Sequence, residues 1–194
     1  NAGDVNGDGF DDLFVGASRA DSNGVDSGSS YVVFGKASGF SAAMDLSTLD
    51  GSNGFRLDGE AGDNSGSSVS TAGDVNGDGF DDLFVGAPSA GPNGAASGSS
   101  YVVFGKATGF SAAINLSSLN GSSGFRLDGM AKFDRLGVSV STAGDVNGDG
   151  FDDVIVGANF ADPNGVNSGS SYVVFGKTSG FSAAMDLSTL DGNN

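Results

Sequence analysis

The sequence of 194 residues contains no cysteine, histidine or tryptophan and only 3 prolines. Without cysteine it has no disulfide framework and no thiolate chemistry, and without histidine the most common general base of enzymes is missing. Its 8 lysines and arginines are too few to neutralise the phosphate backbone of DNA or RNA, which excludes nucleic acid as a partner. Because no apolar run is long enough to span a bilayer, membrane insertion is excluded as well.

Acidic residues dominate the charge, and nearly all of them are aspartates. The net charge is −16, and Glu60 is the only glutamate among 24 acidic residues. Aspartate has a short carboxylate that reaches its own backbone or a shared cation, so this bias favours turns and metal loops. The 35 glycines add many tight turns. A chain of this length that is 38% hydrophobic can still bury a sizeable core.

An internal repeat organises the whole chain. The stretch AGDVNGDGFDD begins at Ala2, Ala72 and Ala143, which are 70 and 71 residues apart. The stretch SGSSYVVFGK recurs three times at the same two spacings, and GFRLDG occurs twice, from Gly54 and from Gly124. We therefore predict one repeat domain over residues 1–194, with units at 1–53, 54–123 and 124–194.

Short apolar segments in each unit are bounded by Gly, Asn, Asp or Ser, which is typical of strands. In the segment YVVF at 31–34 both alternating sets are apolar, so this strand is predicted to be buried on both faces. Four such strands per unit, repeated in series, predict an all-β fold of β-propeller blades with four antiparallel strands each. The segment 40–49 is predicted to be a loop with about one helical turn.

The loop DVNGDGFDD carries the chemistry of each unit. Oxygen donors at its first, third, fifth and ninth positions can converge on one centre, the seventh residue can add its backbone carbonyl, and a glycine permits the sharp turn. Hard oxygen donors favour calcium over magnesium, zinc or copper. The predicted ligands of three calcium sites are Asp4, Asn6, Asp8, Phe10 and Asp12; Asp74, Asn76, Asp78, Phe80 and Asp82; and Asp145, Asn147, Asp149, Phe151 and Asp153.

Two other interpretations of these loops fit the sequence less well. Asn-Gly and Asp-Gly form β-turns without any metal, but three complete copies flanked by strands favour metal binding. An EF-hand requires glutamate at the twelfth loop position, where this sequence has Val15, Val85 and Val156. The residues that follow each loop also read as a strand rather than as an exiting helix.

The sequence resembles the FG-GAP repeat of integrin α-subunit propellers and their bacterial relatives. The FG dipeptides stand at 34–35, 104–105 and 175–176. The GAP element is complete at 86–88, and the other two copies have Ser18 and Asn159 at its last position. The resemblance implies four-stranded antiparallel blades around a central axis, with structural calcium in β-hairpin loops. Because the family usually closes with seven blades, it also implies a ring completed by oligomerisation or by further sequence.

These features predict a calcium-binding scaffold of a secreted or cell-surface protein that mediates adhesion or protein–protein interaction. Calcium is expected to act as a structural stabiliser, and the chain is expected to form a homo-oligomer. The loops at 20–28, 90–98 and 161–169 are the candidate surface for a protein or glycan ligand. The alternative is a structural repeat protein that builds an extracellular fibre or surface assembly through exposed strand edges.

No enzymatic activity is predicted. Hydrolysis of a glycoside by paired carboxylates is the remaining enzymatic alternative. In each Asp-Asp pair the second residue already has a metal role, and the first is expected to face solvent or to cap the turn. The Asp-Asp pairs are Asp11 with Asp12, Asp81 with Asp82, and Asp152 with Asp153.

Arg56 and Arg126, in the two FRLDG segments, are expected to pair with a neighbouring aspartate or to cover the sheet.

Overall fold

A computed structural model describes residues 1–194, and it confirms the all-β prediction. The three helical segments are single 3₁₀ turns, Leu46–Thr48, Leu116–Ser118 and Leu187–Thr189, and none of them could cross a bilayer. The strands are β1 (Leu13–Ala17), β2 (Ser29–Val33), β3 (Gly54–Asp58), β4 (Ser68–Gly73), β5 (Asp82–Ala87), β6 (Ser99–Val103), β7 (Ala113–Asn115), β8 (Gly124–Asp128), β9 (Leu136–Gly144), β10 (Asp153–Ala158), β11 (Ser170–Val174) and β12 (Ala184–Asp186).

The strands form three sheets, which we call blades 1, 2 and 3. Blade 2 has the order β4-β5-β6-β8, and all of its neighbours are antiparallel, as predicted for a propeller blade. Blade 1 contains β1-β2-β3 and blade 3 contains β9-β10-β11 in the corresponding order. The first strands of blades 2 and 3, β4 and β9, contact each other across the junction. The GFRLDG segments form β3 and β8, the last antiparallel strand of blades 1 and 2.

Two short strands extend this pattern in a way that the sequence did not predict. Strand β7, from the connection between β6 and β8, reaches back to pair in parallel with β3 of blade 1. Strand β12 pairs with β8 of blade 2 in the same manner. Each of them leads directly into a 3₁₀ turn, and the turn at Leu46–Thr48 confirms the single helical turn predicted for residues 40–49. In the first unit the corresponding residues, 43–45, have no preceding blade and form no strand.

The core lies between the blades, because the strands of blade 2 are apolar on both faces. Leu83, Val85 and Tyr101 face the cluster shared with blade 1. Phe84 and Val102, one position away in the alternation, face the cluster shared with blade 3. In the segment 31–34, for which two buried faces are predicted, Val32, Val33 and Phe34 are buried and Tyr31 is half-buried. Every residue of the equivalent strand β6, which has a blade on each side, is buried.

Aromatic side chains link neighbouring blades. Phe110, in the connection that leads to β7, stacks on Phe55 of β3 with ring centroids 4.4 Å apart and planes inclined by 6°. Phe181 stacks on Phe125 with a centroid distance of 4.6 Å at the next junction. The equivalent Phe40 of the first unit has no preceding blade and is 49% exposed. The stacking and the parallel strand together attach each unit to the blade before it.

Candidate metal centres

The aspartate-rich segments, which we call metal loops 1, 2 and 3, cover residues 4–12, 74–82 and 145–153. Metal loop 2 joins β4 to β5, and metal loop 3 joins β9 to β10. Metal loop 1 precedes β1, and a bridge between Gly3 and Asp12 closes its base. All three therefore lie at the same end of their blades, where the first antiparallel strand turns into the second.

The first aspartate of each loop organises the turn through backbone amides. In metal loop 2, the amides of Gly77 and Asp78 donate to Asp74 Oδ1 at 2.7 and 3.0 Å, and the amide of Gly79 donates to Asp74 Oδ2 at 2.9 Å. Metal loop 3 has the same three bonds to Asp145. The chain thus curls around this carboxylate, because glycines allow the tight path.

The third and fifth residues are held against each other inside the same curl. The amide of Asp78 donates to Asn76 Oδ1 at 2.8 Å, and Asn76 Nδ2 donates to Asp78 Oδ2 at 2.9 Å. Metal loops 1 and 3 repeat this pair of bonds. The structure therefore brings together the first, third and fifth predicted ligands of each loop.

The ninth residue is a buried aspartate that ties the loop to the FG motif. Asp82 Oδ2 accepts from the amide of Val75 at 3.0 Å, and Asp82 Oδ1 accepts from the amide of Gly105 at 2.9 Å. Asp12 and Asp153 make the same two bonds. We did not predict from the sequence that the FG glycine donates its amide to this aspartate. The separation of 23 residues between the two is nevertheless constant in the three units and is the signal that could have indicated it.

Burial perturbs two of these carboxyl groups. It raises the pKa of Asp82 to about 8, although the amides of Gly105 and Val75 oppose the shift, and the charges of Asp78 and Asp74 raise the pKa further. Burial likewise raises the pKa of Asp12 to about 6. A buried carboxylate near two others of the same sign has a poor environment for its charge unless a cation is close.

The donor chemistry of the loops fits a hard divalent cation. Every side-chain donor of the predicted set is a carboxylate or amide oxygen, and the chain has no imidazole or thiolate to attract a softer metal. The carboxylates are hydrogen-bonded to backbone amides, and no group of three or more acidic side chains stands at metal-binding spacing. The loops thus supply oxygen donors on a preformed turn without gathering all of the predicted ligands at one point.

The first residue of each Asp-Asp pair departs from expectation. Asp81 and Asp152 were expected to face solvent or to cap the turn, but both are half-buried and accept hydrogen bonds from the preceding metal loop. Asp11, which has no preceding blade, remains exposed. Because the blades stack, each metal loop contacts the metal loop of the neighbouring blade. The spacing of residues in the sequence does not predict this contact.

At the opposite end of the blades, the two recurring arginines pair as predicted. Arg56 Nη2 donates to Asp58 Oδ2 at 2.9 Å, and Arg126 bonds Asp128 in the same way. The Nε atoms of both arginines also lie close to Asp58 and Asp128, at 2.7 and 2.6 Å, without hydrogen-bond geometry. These pairs hold the arginine heads along β3 and β8.

A polar cavity of about 350 Å³ opens beside Arg126 at this end. Its lining includes Glu60, Asp63, Pro92 and Tyr101, so it lies between the segment that leaves blade 1 and the predicted surface loop at 90–98. Burial raises the pKa of Asp63 to about 6, and the charge of Glu60 adds to the shift while Arg126 opposes it. The cavity therefore combines carboxyl groups, a guanidinium group and a phenol.

Comparison with known proteins agrees with this architecture. The family model described as the FG-GAP repeat matches residues 1–33, 65–103 and 136–174. Integrin alpha-PS5 of Drosophila melanogaster is 34% identical over 164 residues, which cover 81% of this chain. The matched part is 14% of the length of that curated relative. Each family match contains one metal loop and one of the strands β2, β6 and β11.

Proposed function

The chain belongs to the FG-GAP repeat family, and from this premise we propose that it is a calcium-stabilised β-propeller scaffold for adhesion or protein–protein interaction. The observation that carries the proposal is the same oxygen-lined turn at three loops, each tied to an FG glycine through a buried aspartate. The similarity to integrin alpha-PS5 supports an interaction role, and the predicted absence of enzymatic activity is part of this proposal.

Within each loop the chain's own groups prepare the site. The backbone amides fix the first carboxylate, the third and fifth side chains lie beside it, and the ninth carboxylate joins the loop to the FG strand. A bound calcium ion would supply positive charge to these oxygens. Because it binds the folded loop and not the unfolded chain, it would raise the free energy of unfolding by mass action.

We place the partner surface at the end of the blades opposite the metal loops. The loops at 20–28, 90–98 and 161–169 each join the second strand of a blade to the third, so they share this end. The polar cavity beside the second of these loops supports a polar ligand, either a protein segment or a glycan. This division leaves the metal loops to stabilise the scaffold while the other end makes contacts.

A secreted or cell-surface location belongs to the same proposal. The integrin similarity supports it, as does the use of calcium loops in a chain without cysteine. Extracellular calcium modules typically bind with Kd values of about 10⁻⁴ to 10⁻³ M, so the loops need only modest affinity there.

Assembly through strand edges supports a second candidate, an extracellular fibre or surface assembly. Strand β11 pairs only with β10, whereas its counterpart β6 is paired on both sides. An unpaired edge offers backbone groups to another strand. Electron microscopy separates the two candidates, since a scaffold gives discrete particles and a fibre-forming protein gives open filaments.

Thermal unfolding with 5 mM calcium and with excess chelator tests the metal function, where 5 mM is roughly five to fifty times the typical Kd. We expect the melting temperature to fall by about 10 °C in chelator, because three sites at this saturation contribute about 4 kcal/mol. Superimposed unfolding curves would show that the loops are polar turns without a metal role.

Substitution of one loop tests the stoichiometry. Asp8→Ala removes the fifth ligand of metal loop 1 and is expected to reduce calcium binding from three equivalents to two in a calorimetric titration. Asp21→Ala, at the opposite end of the blade, is the control and should retain three. Loss of no equivalent, or of all three, would be inconsistent with three separate sites.

A further inference from the structure

We propose that Asp81 and Asp152 are positioning residues that couple each metal loop to the blade that follows it, so that cation binding at neighbouring loops is linked. The inference rests on the proposed calcium function. Neither residue is among the predicted ligands, and each stands in the loop of one blade while its carboxylate contacts the loop of another.

The junction between blades 1 and 2 shows a reciprocal pair of bonds. The amide of Asp4 donates to Asp81 Oδ2 at 2.8 Å, and the amide of Asp81 donates to the carbonyl oxygen of Asp4 at 3.2 Å. The amide of Lys106 adds a third bond, to the carbonyl oxygen of Val5, at 3.0 Å. The predicted first ligand of metal loop 1 is therefore held in place from blade 2.

The junction between blades 2 and 3 repeats this geometry. The amide of Asp74 donates to Asp152 Oδ2 at 2.9 Å, and the amide of Asp152 donates to the carbonyl oxygen of Asp74 at 3.1 Å. The amide of Lys177 donates to the carbonyl oxygen of Val75 at 2.9 Å. Two independent junctions with the same three bonds show that the contact belongs to the repeat.

The residue before metal loops 1 and 2 is a glycine because the backbone there lies very close to a carboxylate of the neighbouring blade. Gly3 and Gly73 have φ values of +74° and +73°, which side chains rarely adopt. A Cβ at Gly3 would overlap the Asp81 carboxylate, and a Cβ at Gly73 would overlap that of Asp152. Only glycine leaves room for the neighbouring carboxylate at this position.

Metal loop 3 provides an internal comparison, because no further blade lies against it. Val146 is 57% exposed, whereas its equivalents Val5 and Val75 are 0% and 1% exposed. No other atom lies within 4 Å of the Cβ position at Gly144, where the other two loops meet a carboxylate. Within a single chain we therefore expect metal loop 3 to bind calcium more weakly than metal loops 1 and 2, until a blade of another chain covers it.

The positions of the coupling residues connect one site to the next along the chain. Asp81 precedes Asp82, a predicted ligand of metal loop 2, and it orients Asp4, a predicted ligand of metal loop 1. A cation that orders Asp82 also orders the backbone that carries Asp81. Filling of metal loop 2 thus favours binding at metal loop 1, and by linkage the reverse also holds.

A calcium titration followed by amide NMR resolves the three loops. The amides of Gly9, Gly79 and Gly150 report on metal loops 1, 2 and 3, because each donates to the first aspartate of its own loop. In Asp81→Ala we expect the Kd reported by Gly9 to rise tenfold or more, while Gly79 shifts less and Gly150 is unchanged. In Asp152→Ala the large change should move to Gly79.

Asp11→Ala is the matched control, since Asp11 is the exposed equivalent of Asp81; at concentrations where the chain is monomeric it should leave all three midpoints unchanged. Asp81→Asn keeps an acceptor oxygen and should recover most of the affinity at metal loop 1. Equal weakening by alanine and asparagine would assign the effect to charge and would overturn the positioning role of Asp81. In chelator, faster hydrogen exchange of the Asp4 amide in Asp81→Ala would support the contact independently of metal.

Failure of the two proposals can be told apart. If none of the three glycine amides of the unaltered chain responds to calcium, the proposed calcium function is wrong. If all three respond but Asp81→Ala and Asp152→Ala leave every midpoint within twofold, the calcium function stands and the coupling is wrong. A normal response of Gly150 in Asp81→Ala, and a retained response of Gly9 in Asp152→Ala, shows that the rest of the chain remains folded.

Discussion

Each Asp-Asp pair places two carboxylates in different surroundings at successive positions. The side chain of Asp82 is buried in its own blade and accepts hydrogen bonds from the amides of Val75 in its loop and of Gly105 in the FG motif, whereas that of Asp81 points to the preceding blade. Alternation of side chains at the start of a strand causes this division, since successive residues face opposite sides. One dipeptide thereby serves two neighbouring blades.

Asp63 gives a pH-dependent prediction at the residue scale. Its pKa is raised to about 6 by burial and by Glu60 against the attraction of Arg126, and Tyr101 lines the same cavity. Because the folded state holds this proton more tightly than an unfolded chain with a pKa near 3.8, the resulting stability is present below about pH 4 and is lost as the pH rises through 6. Asparagine does not ionise, so the stability of Asp63→Asn should not fall in this pH range for this reason.

Urea unfolding in saturating calcium at pH 4, 5, 6 and 7 measures the effect. We expect Asp63→Asn to match the unaltered chain at pH 4 and to be more stable by about 1 kcal/mol at pH 7, a value reduced for solvent screening. Glu60→Gln is the companion variant and should shift the midpoint of the difference to lower pH. A difference that does not vary with pH would contradict the raised pKa.

At the scale of elements, the connection between the third and fourth antiparallel strands acts on a different blade from its own. Its phenylalanine stacks on the preceding blade, and a lysine four residues earlier lies over the same ring, with Lys106 Nζ 4.9 Å from the ring centroid of Phe110. Strand β7 then adds three parallel pairings to β3. Stacking and strand pairing thus anchor each connection at two points.

Phe110→Ala and Phe40→Ala form a matched pair for this attachment. The first variant removes a buried ring and is expected to lower the free energy of unfolding by about 3 kcal/mol. The second removes an exposed ring with no stacking partner and should change it by less than about 0.5 kcal/mol. Denaturant unfolding in calcium measures both, and equal losses would show that the stacking between blades is not the source of stability.

Local patterns explain which elements could be predicted. The YVVF strands, the GFRLDG strands and the curled aspartate loops have apolar alternation or turn residues that act within a few positions. The segments AIN and AMD of β7 and β12 are too short to show a period, and their partner strands belong to the preceding blade. The contacts of Asp81 and of the FG glycine were missed for the same reason, since blade stacking creates them.

At the scale of the whole molecule, the outer blades differ from the middle one in how far they are covered. All residues of β6 are buried, but only Val174 of the equivalent β11 is buried. A further GFRLDG-type strand, from whichever chain it comes, would pair with the free edge of β11 as β8 pairs with β6. The predicted homo-oligomer is one way to provide such neighbours.

Light scattering on a size-exclusion column in millimolar calcium tests the assembly. We expect a discrete mass at a small multiple of 19.0 kDa, because exposed apolar side chains of the outer blades, such as Leu13 and Val15, favour association. A single species at 19.0 kDa would contradict the predicted homo-oligomer. The exposed faces of blades 1 and 3 would then have to be covered by a different partner. A broad, concentration-dependent distribution would favour the fibre alternative.

The reach of β7 to β3 also has a consequence for synthesis on the ribosome. Blade 2 has its four antiparallel strands once Asp128 is translated, but its sheet is completed only when Ala184–Asp186 has emerged. Blades 1 and 2 are therefore complete only after the chain that follows the next blade's third strand has been made. The folding of one blade during translation therefore overlaps with the synthesis of the next. A pause in translation before the later strand emerges leaves the last antiparallel strand of the earlier blade unpaired on its outer side.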